Sequence, residues 1–479
     1  MEWIDAATAA ERLGIKPATL YAYVSRGVVQ RRHSEDGRRS LFSAEEIERL
    51  ARRGRPRAQP PELVIESAVT SLGVDRPYYR GADALALART AAFETVAEWL
   101  WTGDPGVWLR AAPGGRRLQP DGGLRAAPGE RRLEPDARLR GAPGGRWLEP
   151  DAGLRGAPGT WRFEPGDGLR AAVAAQRGLP GDLMPLDRLQ VIVTVLGASD
   201  SLRYQLDPDS VTATARRLIA GLVDALPPLG EPQGDTIAER LWSRLCPHPA
   251  TPGLLDALRA ALVLLADHEL AASTLAARVA ASAKADPYAV VLTGLGVLGG
   301  PLHGGASYAA ERLLDEITHP GEAPRVIGER VRRGERIPGF RHSVYKNGDA
   351  RGTLLLDLIR KAVTETGART APCPPAKRAH RGGPGEPARL GDPGETVLRP
   401  DRIDVVDAVL AEMRRRRLPH PNVDLALATL VTVSGMTRGA GEAIFAVARA
   451  AGWLAHAMEE YRRGSLLRLR ASYTGPPPK

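Results

Sequence analysis

Cysteine is scarce in this chain, which has only Cys246 and Cys373 among its 479 residues. Two cysteines argue against a disulfide framework and favour a reducing compartment. Long apolar runs are absent too, since none reaches the roughly 20 residues that span a bilayer. Residues 1–5 lack the basic and apolar regions of a signal peptide. We therefore expect a cytoplasmic protein without a membrane segment.

Acidic residues are fewer than basic ones, 56 against 66, which gives a formal net charge of +10. Hydrophobic residues make up 43% of the chain and charged residues 25%, as in soluble globular proteins. A chain of this length buries a large core, and we expect two or three domains. Three explanations of the positive charge stay open: contact with nucleic acid, affinity for small anions, or an arginine-rich surface.

The N-terminal residues have the pattern of a winged helix-turn-helix module. Ala6–Leu13 and Lys16–Val24 are short helical segments separated by a glycine turn, and a proline lies in the first turn of the second. In such a module the second helix enters the major groove of DNA. Val28–Arg32 and Arg39–Phe42 flank a Ser-Glu-Asp-Gly turn and predict a β-hairpin wing. Ser43–Ile47 opens a last helix with the spacing of a capping box.

The segments AAERLGIKPATLYAYVSRG, GRRSLF and SAEEIERL resemble the MerR/excisionase-type winged helix-turn-helix family. The resemblance implies a DNA-binding domain at residues 1–53, with basic side chains placed for phosphate contacts. The candidate DNA-contacting residues are Lys16, Tyr21, Arg26, Arg31, Arg32, Arg38 and Arg39. The alternative is a degenerate module that serves only packing or dimerisation.

A linker and two proline- and glycine-rich segments interrupt the rest of the chain. Residues 54–61 are a basic, proline-rich linker. A 15-residue repeat of the type L-R-(A/G)-A-P-G begins at Leu109 and occupies residues 109–168. Each copy has too few apolar residues to bury a core, so we predict a disordered surface insertion, with a nucleic-acid-binding arm as the alternative. Residues 370–394 are predicted to form a long loop.

Helical periodicity dominates the remaining sequence. Alternating patterns are almost absent beyond the predicted wing, so the main body should be all-α. Tyr78–Gly81 and Phe93–Gly103 are expected to start this helical domain. The later predicted helices are Leu186–Leu196, Val211–Leu226, Leu254–Ala285, Leu354–Thr366, Ile403–Met413, Asp424–Val433 and Ile444–Met458.

One glycine pattern is misleading. Gly294–Gly299 satisfies the G-x-G-x-x-G pattern of dinucleotide-binding loops, but no strand–helix alternation surrounds it, and Gly300-Pro301 follows at once. We therefore predict no nicotinamide cofactor. No cysteine or histidine spacing indicates a metal site either.

Five groups of polar stretches contain the candidate functional residues. One places His303 in a run of glycines and a proline, where the backbone comes close to a ligand. Together they supply three histidines, an aspartate and several arginines, which suit deprotonating a weak carbon acid, polarising a carbonyl and holding a dicarboxylate. The stretches are Gly299–Ser307, Ala266–Leu270 with Ser273-Thr274, Ile337–Lys346 with Asp349–Arg351, Pro421–Asp424, and Phe445–Arg449 with Arg468–Gly475.

These stretches resemble the GPLHGGA, DHE…AST, IPGF-H-VYK…D-R, PNVD, FAVAR and R-x-R…Y-T-G motifs of the citrate synthase family, over residues 62 to 475. The resemblance implies an all-α fold with a large domain at 62–302, a small domain at 303–420 and a return to the large domain at 421–479. It also implies an obligate homodimer. The implied activity is an acyltransferase that condenses acetyl-CoA or propionyl-CoA with oxaloacetate, giving citrate or 2-methylcitrate, without a cofactor.

The same resemblance implies a role for each candidate residue. Asp424 would remove a proton from the acetyl methyl group, and His303 would donate a hydrogen bond to the thioester oxygen. His342 would polarise the ketone of oxaloacetate and protonate the new alkoxide. The residues implied to hold oxaloacetate are His268, Arg351, Arg449 and Arg468, the last from the partner subunit, with Arg470 as the less favoured choice for that contact.

The chain departs from the family motifs beside two of these residues, since Ala306–Tyr308 replaces Ala-Asn-Glu and Arg341 and Ser343 flank His342. Every proposed chemical group is nevertheless present. The alternative to a synthase is a DNA-binding transcriptional regulator whose helical body senses an acyl-CoA or a dicarboxylate. A third hypothesis is a synthase whose N-terminal module is an interaction appendage. Taken singly, each site residue also has a structural explanation, such as a histidine hydrogen-bonded in the core.

Overall fold

The computed structural model describes residues 3–13, 17–25, 29–34, 40–44, 46–47, 64–107, 161, 166–369, 399–468 and 475. The chain divides into two compact units, Met1–Glu66 and Ser67–Lys479. Each unit has its own hydrophobic core. The predicted division of the second unit at residues 302 and 420 stays a prediction.

The N-terminal unit combines two short helices with a small antiparallel sheet. Its described elements are β1 (Trp3–Asp5), α1 (Ala6–Leu13), α2 (Pro17–Ser25), β2 (Arg31–His33) and β3 (Ser40–Ser43). The strand order is β1-β3-β2, and Ile4 of β1 pairs with Phe42 of β3. Ile4, Leu20 and Phe42 are buried in the core of this unit. The expected pairing of two strands after α2 is present, whereas β1 was not predicted.

The second unit begins with a small sheet that the sequence pattern did not reveal. Thr70–Leu72 (β4), Pro77–Tyr79 (β5) and Ala82–Asp83 (β6) form it in the order β4-β5-β6, with antiparallel neighbours. Of the two segments predicted to start the helical domain, Tyr78–Gly81 therefore belongs to a strand and a turn, whereas Phe93–Gly103 contains a helix. Strands of two or three residues are too short to show an alternating pattern.

Helices make up most of the second unit. In the described part of the chain they are α3 (Ala84–Thr90), α4 (Phe93–Thr102), α5 (Asp167–Arg177), α6 (Pro185–Ser199), α7 (Pro208–Asp224), α8 (Ile237–Leu245), α9 (Pro252–Leu265), α10 (Ala272–Ser282), α11 (Pro287–Leu298), α12 (Gly305–Glu316), α13 (Ala323–Arg332), α14 (Ala350–Arg369), α15 (Asp401–Arg415), α16 (Val423–Ser434) and α17 (Ala440–Arg463), with a 3₁₀ turn at Pro320–Glu322. The predicted all-α body is thus confirmed as a mostly helical one, with the sheet β4-β5-β6 as the departure from the prediction. None of these described helices is both long and apolar enough to cross a membrane.

Helix α17 is the central element of this unit. Every residue of α17 from Ala440 to Tyr461 is buried, and the helix packs against α4, α7, α9, α10 and α11. The contact with α11 accounts for the first glycine of the misleading pattern, because a Cβ on Gly294 would lie 2.5 Å from the ring of Trp453. Gly294 therefore lets two helices approach closely.

The predicted helix Leu254–Ala285 is broken in the middle, because α9 ends at Leu265 and α10 begins at Ala272. Between the two helices, Glu269 has a φ of +52°. The carboxylate of Asp267 accepts the backbone N–H of Glu269 at 3.2 Å. Such a side chain–backbone bond competes with helical hydrogen bonding, and it turns the chain at His268.

Three predicted features lie almost entirely outside the described residues: the linker at 54–61, the repeat at 109–168 and the loop at 370–394. Trp161 is an exception, since it is buried and stacks on Trp101 with ring centroids 5.2 Å apart. Helix α5 begins at Asp167, so helical structure starts just inside the predicted end of the repeat.

Candidate active site

His342 lies in the loop between α13 and α14, and backbone hydrogen bonds set its tautomer. Its Nδ1 accepts the backbone N–H groups of Val344 at 3.1 Å and Tyr345 at 3.2 Å. In the neutral ring the proton therefore lies on Nε2. Burial and the charge of Arg351 lower the pKa of His342 to about 4. At neutral pH this histidine is thus an uncharged donor through Nε2.

Arg351 points a second donor at the same place. Its guanidinium is held by Asp349 through two bonds, Nε to Oδ1 and Nη2 to Oδ2, both 2.9 Å long. The Nη2 atom also lies 3.3 Å from Nε2 of His342. Since both nitrogens carry hydrogen, neither satisfies the other. Two fixed donors converge here, and one oxygen acceptor on a ligand would satisfy both.

His268 contacts the same loop through Tyr345. Its Nε2 lies 2.9 Å from the Tyr345 hydroxyl, and its ring meets that of His342 edge to face with centroids 5.2 Å apart. Tyr345 also stacks on His342, at 4.6 Å between centroids. Burial, followed by the charges of Arg351 and Arg449, holds the pKa of His268 well below its usual range. His268 is therefore a neutral side chain whose orientation depends on Tyr345.

Arg449 brings a second buried guanidinium to the site from α17. It is 1% exposed, and its Nε donates to the carbonyl oxygen of Leu265 at 2.8 Å. The guanidinium lies over the ring of Phe445, 4.7 Å from the ring centre. Its buried Nη1 has no hydrogen-bond partner among the described residues. Burial lowers the pKa of Arg449 only to about 10, so this donor stays charged and suits an anionic acceptor on a ligand.

Asp424 lies in the first turn of α16, where Asn422 caps the helix. The side-chain oxygen of Asn422 accepts the backbone N–H of Asp424 at 3.0 Å. The N–H of Val423 donates to Asp349 at 3.1 Å and ties this helix start to the Asp349–Arg351 ion pair. Burial raises the pKa of Asp424 to about 7, although the charge of Arg351 acts in the opposite direction. A carboxylate with this pKa suits a general base near neutral pH.

His303 lies in the loop before α12, and a chain of hydrogen bonds sets its tautomer. Trp453 donates its Nε1–H to the hydroxyl of Ser273 at 3.1 Å. That hydroxyl lies 2.6 Å from Nε2 of His303, and we assign its own proton to this bond, since the described residues offer it no other acceptor. His303 then carries its proton on Nδ1. Burial and the charge of Arg449 lower the pKa of His303 to about 4, so it too is a neutral donor.

Six of the seven predicted catalytic and substrate-binding residues lie in one cluster. The charges of Arg351 and Arg449 both lower the pKa of Asp424, and Phe445, beneath Arg449, meets the His303 ring edge to face at 5.7 Å. The six residues are His268, His303, His342, Arg351, Asp424 and Arg449. The seventh, Arg468, is exposed in the single chain.

Five further residues of the site had no role in the sequence predictions, among them Ser273, which was quoted only as part of a motif. Tyr345 and Phe445 were quoted inside motifs without a function, and Asp349 was likewise only part of a motif. Trp453 was not singled out, although it lies one turn after Arg449, a spacing that places both on one helix face. The sequence also contained an indication of the role of Asp349, since an acidic residue two positions before a buried arginine is a candidate ion-pair partner. Nothing in the local pattern indicated the contact of Tyr345.

A cavity of about 390 Å³ opens beside His342. Arg341, Lys346 and Arg417 are among the residues that line it, and the one carboxylate in the lining, Asp349, is already bound in an ion pair. The cavity therefore has a positively charged lining that suits a polyanion. Among the described residues, no group of three or more His, Cys, Asp or Glu side chains could hold a metal ion.

The candidate DNA-contacting residues are only partly described. Tyr21 is 40% exposed, and its ring meets that of Phe42 edge to face at 6.0 Å. Arg31 and Arg32 are exposed on β2, and the guanidinium of Arg32 lies 4.3 Å from the ring centre of Trp3. The candidates outside the described residues are Lys16, Arg26, Arg38 and Arg39.

Neutral imidazole donors, buried guanidinium groups and a carboxylate whose pKa is raised to about 7 form a set of groups that suits enolate formation beside an anionic substrate. The family model for the C-terminal domain of citrate synthase matches residues 166–470. Citrate synthase 2 of Bacillus subtilis (strain 168) is 34% identical over 303 residues, which cover 61% of this chain and 73% of that protein. The chain belongs to the citrate synthase family and is an enzyme of the citrate or 2-methylcitrate synthase type.

Other known proteins show the same relationship. The 2-methylcitrate synthase of Mycobacterium tuberculosis (strain ATCC 25618 / H37Rv) is 29% identical over 302 residues, 61% of this chain and 68% of that protein. The ternary complex of carboxymethyl coenzyme A and oxaloacetate with the citrate synthase of Thermoplasma acidophilum gives a TM-score of 0.61 at 20% identity, covering 87% of this chain and 96% of that chain. The citrate synthase of Pyrobaculum aerophilum gives 0.59 at 21% identity, covering 93% and 95%. At these identities the two structures establish the fold.

Proposed function

We propose that the chain condenses acetyl-CoA or propionyl-CoA with oxaloacetate and releases CoA. The observation that carries this proposal is the convergence of two donors, Nε2 of His342 and Nη2 of Arg351, which lie 3.3 Å apart. Two donors on a ketone oxygen make the ketone carbon electrophilic. Asp424, with a pKa of about 7, supplies the base that generates the carbon nucleophile.

Oxaloacetate would bind through its ketone and both carboxylates. Arg351 and Arg449 present buried guanidinium donors, and Nη1 of Arg449 has no partner among the described residues. Tyr345 orients the ring of His268 toward the same substrate. For the remaining contact we propose Arg468 of the partner subunit in a homodimer, as the family resemblance implies; the side chain is exposed in the single chain and is accessible to a second subunit.

The acyl thioester would first become an enolate. Asp424 removes a proton from the carbon next to the thioester carbonyl, and His303 donates its Nδ1–H to the thioester oxygen, where the negative charge accumulates. The bonds from Trp453 to Ser273 and from Ser273 to His303 keep that donor on Nδ1. Because the pKa of His303 is about 4, it acts by hydrogen bonding and not as a cation.

The enolate carbon would then attack the ketone carbon of oxaloacetate. A carbon–carbon bond forms as the C=O π bond of the ketone breaks, and the ketone oxygen becomes an alkoxide that hydrogen bonds from His342 and Arg351 stabilise. His342 passes its Nε2 proton to the alkoxide and takes a proton back from solvent, while Asp424 releases to solvent the proton that it removed from the thioester. Water then hydrolyses the thioester, which yields CoA and citrate or 2-methylcitrate. Closure of the predicted small domain, residues 303–420, would exclude water until the new bond has formed.

The phosphates of CoA fit the positively charged cavity beside His342. Arg341, Lys346 and Arg417 line it, and guanidinium and ammonium groups are the usual protein ligands of phosphate. Acetyl-CoA and propionyl-CoA differ by one methylene, which is worth only about 1–3 kcal/mol of discrimination. The acyl preference is therefore a matter for direct comparison of the two thioesters.

Release of free thiol from each thioester, with and without oxaloacetate, tests the proposal. Release should depend on oxaloacetate and should fall at least about 100-fold in Asp424→Asn, which removes the base and keeps the size of the side chain. Asp404→Asn, which alters an exposed aspartate of α15, is the matched control and should keep full activity. Absence of release from folded protein, or release that ignores oxaloacetate, would contradict the proposed condensation.

We propose separately that the N-terminal unit is a winged helix-turn-helix module that binds DNA. Its support is the order of α1 and α2 followed by the antiparallel pair β2–β3, with Arg31 and Arg32 exposed on β2. The family model starts at residue 166 and does not bear on this unit. Mobility-shift assays should show binding that weakens steeply with salt and is lost in Arg31→Ala/Arg32→Ala. Absent or salt-insensitive binding would refute the DNA-binding hypothesis.

A further inference from the structure

Glu311 connects the helix that follows His303 to the start of α17. It lies on α12 and is 4% exposed. One carboxylate oxygen, Oε2, accepts the backbone N–H of Gly439 at 2.9 Å, and the other, Oε1, accepts that of Gly441 at 3.1 Å. These N–H groups lie at the N-terminus of α17, where an anion is favoured. Arg449 lies on the same helix, two to three turns further on.

The same carboxylate fixes the end of the connection between α16 and α17. Asp424 is in the first turn of α16, and the connection after this helix runs from Gly435 to Gly439. Both glycines have positive φ, +67° and +76°, so the connection begins and ends at residues with low torsional cost. Helix α12 packs on both α16 and α17. Glu311 therefore joins the helices that carry Asp424 and Arg449 to the helix after the His303 loop.

The space around Glu311 fits its carboxylate closely, and the burial of that carboxylate lowers the stability of the fold. A Cβ on residue 441, a glycine, would lie 2.7 Å from Oε1 of Glu311 and 3.4 Å from Oγ of Ser307. Glu442 is also buried here, and burial together with the charge of Glu311 raises its pKa to about 7. Two buried carboxylates in one place are costly, and a hydrophobic side chain would serve packing alone better.

We propose that Glu311 is a positioning residue of the condensation, which holds α17 against α12 and so sets the contact of His303 with Phe445, the ring over which Arg449 lies. This inference rests on the proposed function. Glu311 binds α17 near its start, and about one turn further along α17 Phe445 meets the ring of His303, in the loop before α12, with centroids 5.7 Å apart. A shift of α17 against α12 would therefore move His303, the proposed donor to the thioester oxygen, away from the residues that hold oxaloacetate.

The groups on the oxaloacetate side have anchors of their own. Arg351 is held by Asp349, and Arg449 is held by the carbonyl oxygen of Leu265. Loss of the Glu311 bonds should therefore lower kcat while leaving KM for oxaloacetate almost unchanged.

Glu311→Gln is the direct test, because it keeps the size of the side chain but replaces one acceptor oxygen by an N–H₂ group. We expect kcat to fall about tenfold and KM for oxaloacetate to stay within about twofold. Gly441→Ala, which pushes against the carboxylate from the other side, should have the same kinetic effect. Asp404→Asn, the exposed aspartate of α15, removes a charge on another helix without touching either glycine and should match the wild type.

Hydrogen exchange on the same variants separates this inference from the proposed function. Glu311→Gln should increase exchange in peptides 435–445 and 299–306, whether or not the wild type is a synthase. Increased exchange at 435–445 without any change at 299–306 would overturn the positioning role. In an active wild type, an unchanged kcat with a lower Tm would show that Glu311 only stabilises the fold and would overturn the inference as well.

Discussion

Turnover should rise with pH between 6 and 8, because the base Asp424 must be ionised to accept a proton. Burial raises the pKa of Asp424 from 3.8 to about 7. An acid with that pKa is ionised in about one tenth of the molecules at pH 6 and in about nine tenths at pH 8. The kcat/KM for the acyl-CoA, which reports the free enzyme, should therefore rise about tenfold over this range. His303 and His342 stay neutral throughout, since the pKa of each is about 4.

The assay is the initial rate of thiol release at low acyl-CoA and saturating oxaloacetate, at constant ionic strength, from pH 5.5 to 8.5. Glu311 needs a control, because burial raises its pKa to about 7 as well. The rise should persist in Glu311→Gln, at a lower absolute rate, if Asp424 causes it. A flat profile from pH 5.5 to 8.5, as a carboxylate with an ordinary pKa would give, would refute the assignment of Asp424 as a base with a raised pKa.

Three further predictions concern neighbouring side chains. Ser273→Ala removes the donor that keeps the proton of His303 on Nδ1, so kcat should fall about tenfold or more while KM for oxaloacetate stays unchanged. An unaltered kcat would refute the claim that Ser273 sets the tautomer of His303. Arg341 has a φ of +74°, so Arg341→Gly should increase the free energy of unfolding, measured by chemical denaturation, by about 1 kcal/mol. The same change should raise KM for the acyl-CoA several-fold, and an unchanged KM would show that Arg341 does not belong to the phosphate site. Asp424→Asn should raise Tm at pH 8, because a folded-state pKa above the unfolded value disfavours folding once the pH exceeds both. From 3.8 to about 7, the shift of about 3 units corresponds to at most about 4 kcal/mol, and the gain in Tm should disappear below pH 4.

Most helices of the second unit were predictable because periodicity and helix-start signals agree. Val211–Leu226 was predicted and α7 spans Pro208–Asp224, with the proline in its first turn and Asp207 as the N-cap. The clustering of site residues was predicted only through the order of the family motifs. Spacing alone does not bring His303 and Asp424 together, because they are separated by more than a hundred residues and several helices.

What the sequence left out depends on contacts between distant segments. The hydroxyl of Tyr345 reaches His268 across 77 residues, and Glu311 reaches Gly439 across 128 residues. Neither contact leaves a pattern in the neighbouring sequence, because the two residues of each contact meet only after the helices have packed. The break at Asp267 depends on one side chain–backbone bond, which outweighs the helical periodicity on both sides of it.

The most direct test of the central claim is to follow the methyl carbon of acetyl-CoA, labelled with ¹³C, by NMR in the presence of oxaloacetate. Condensation predicts that the label appears in a methylene carbon of a tricarboxylic acid, at the rate of thiol release, and that this signal is lost in Asp424→Asn. Label found only in the methyl group of acetate would mean that the protein hydrolyses the thioester without forming a carbon–carbon bond. That result would contradict the proposed function.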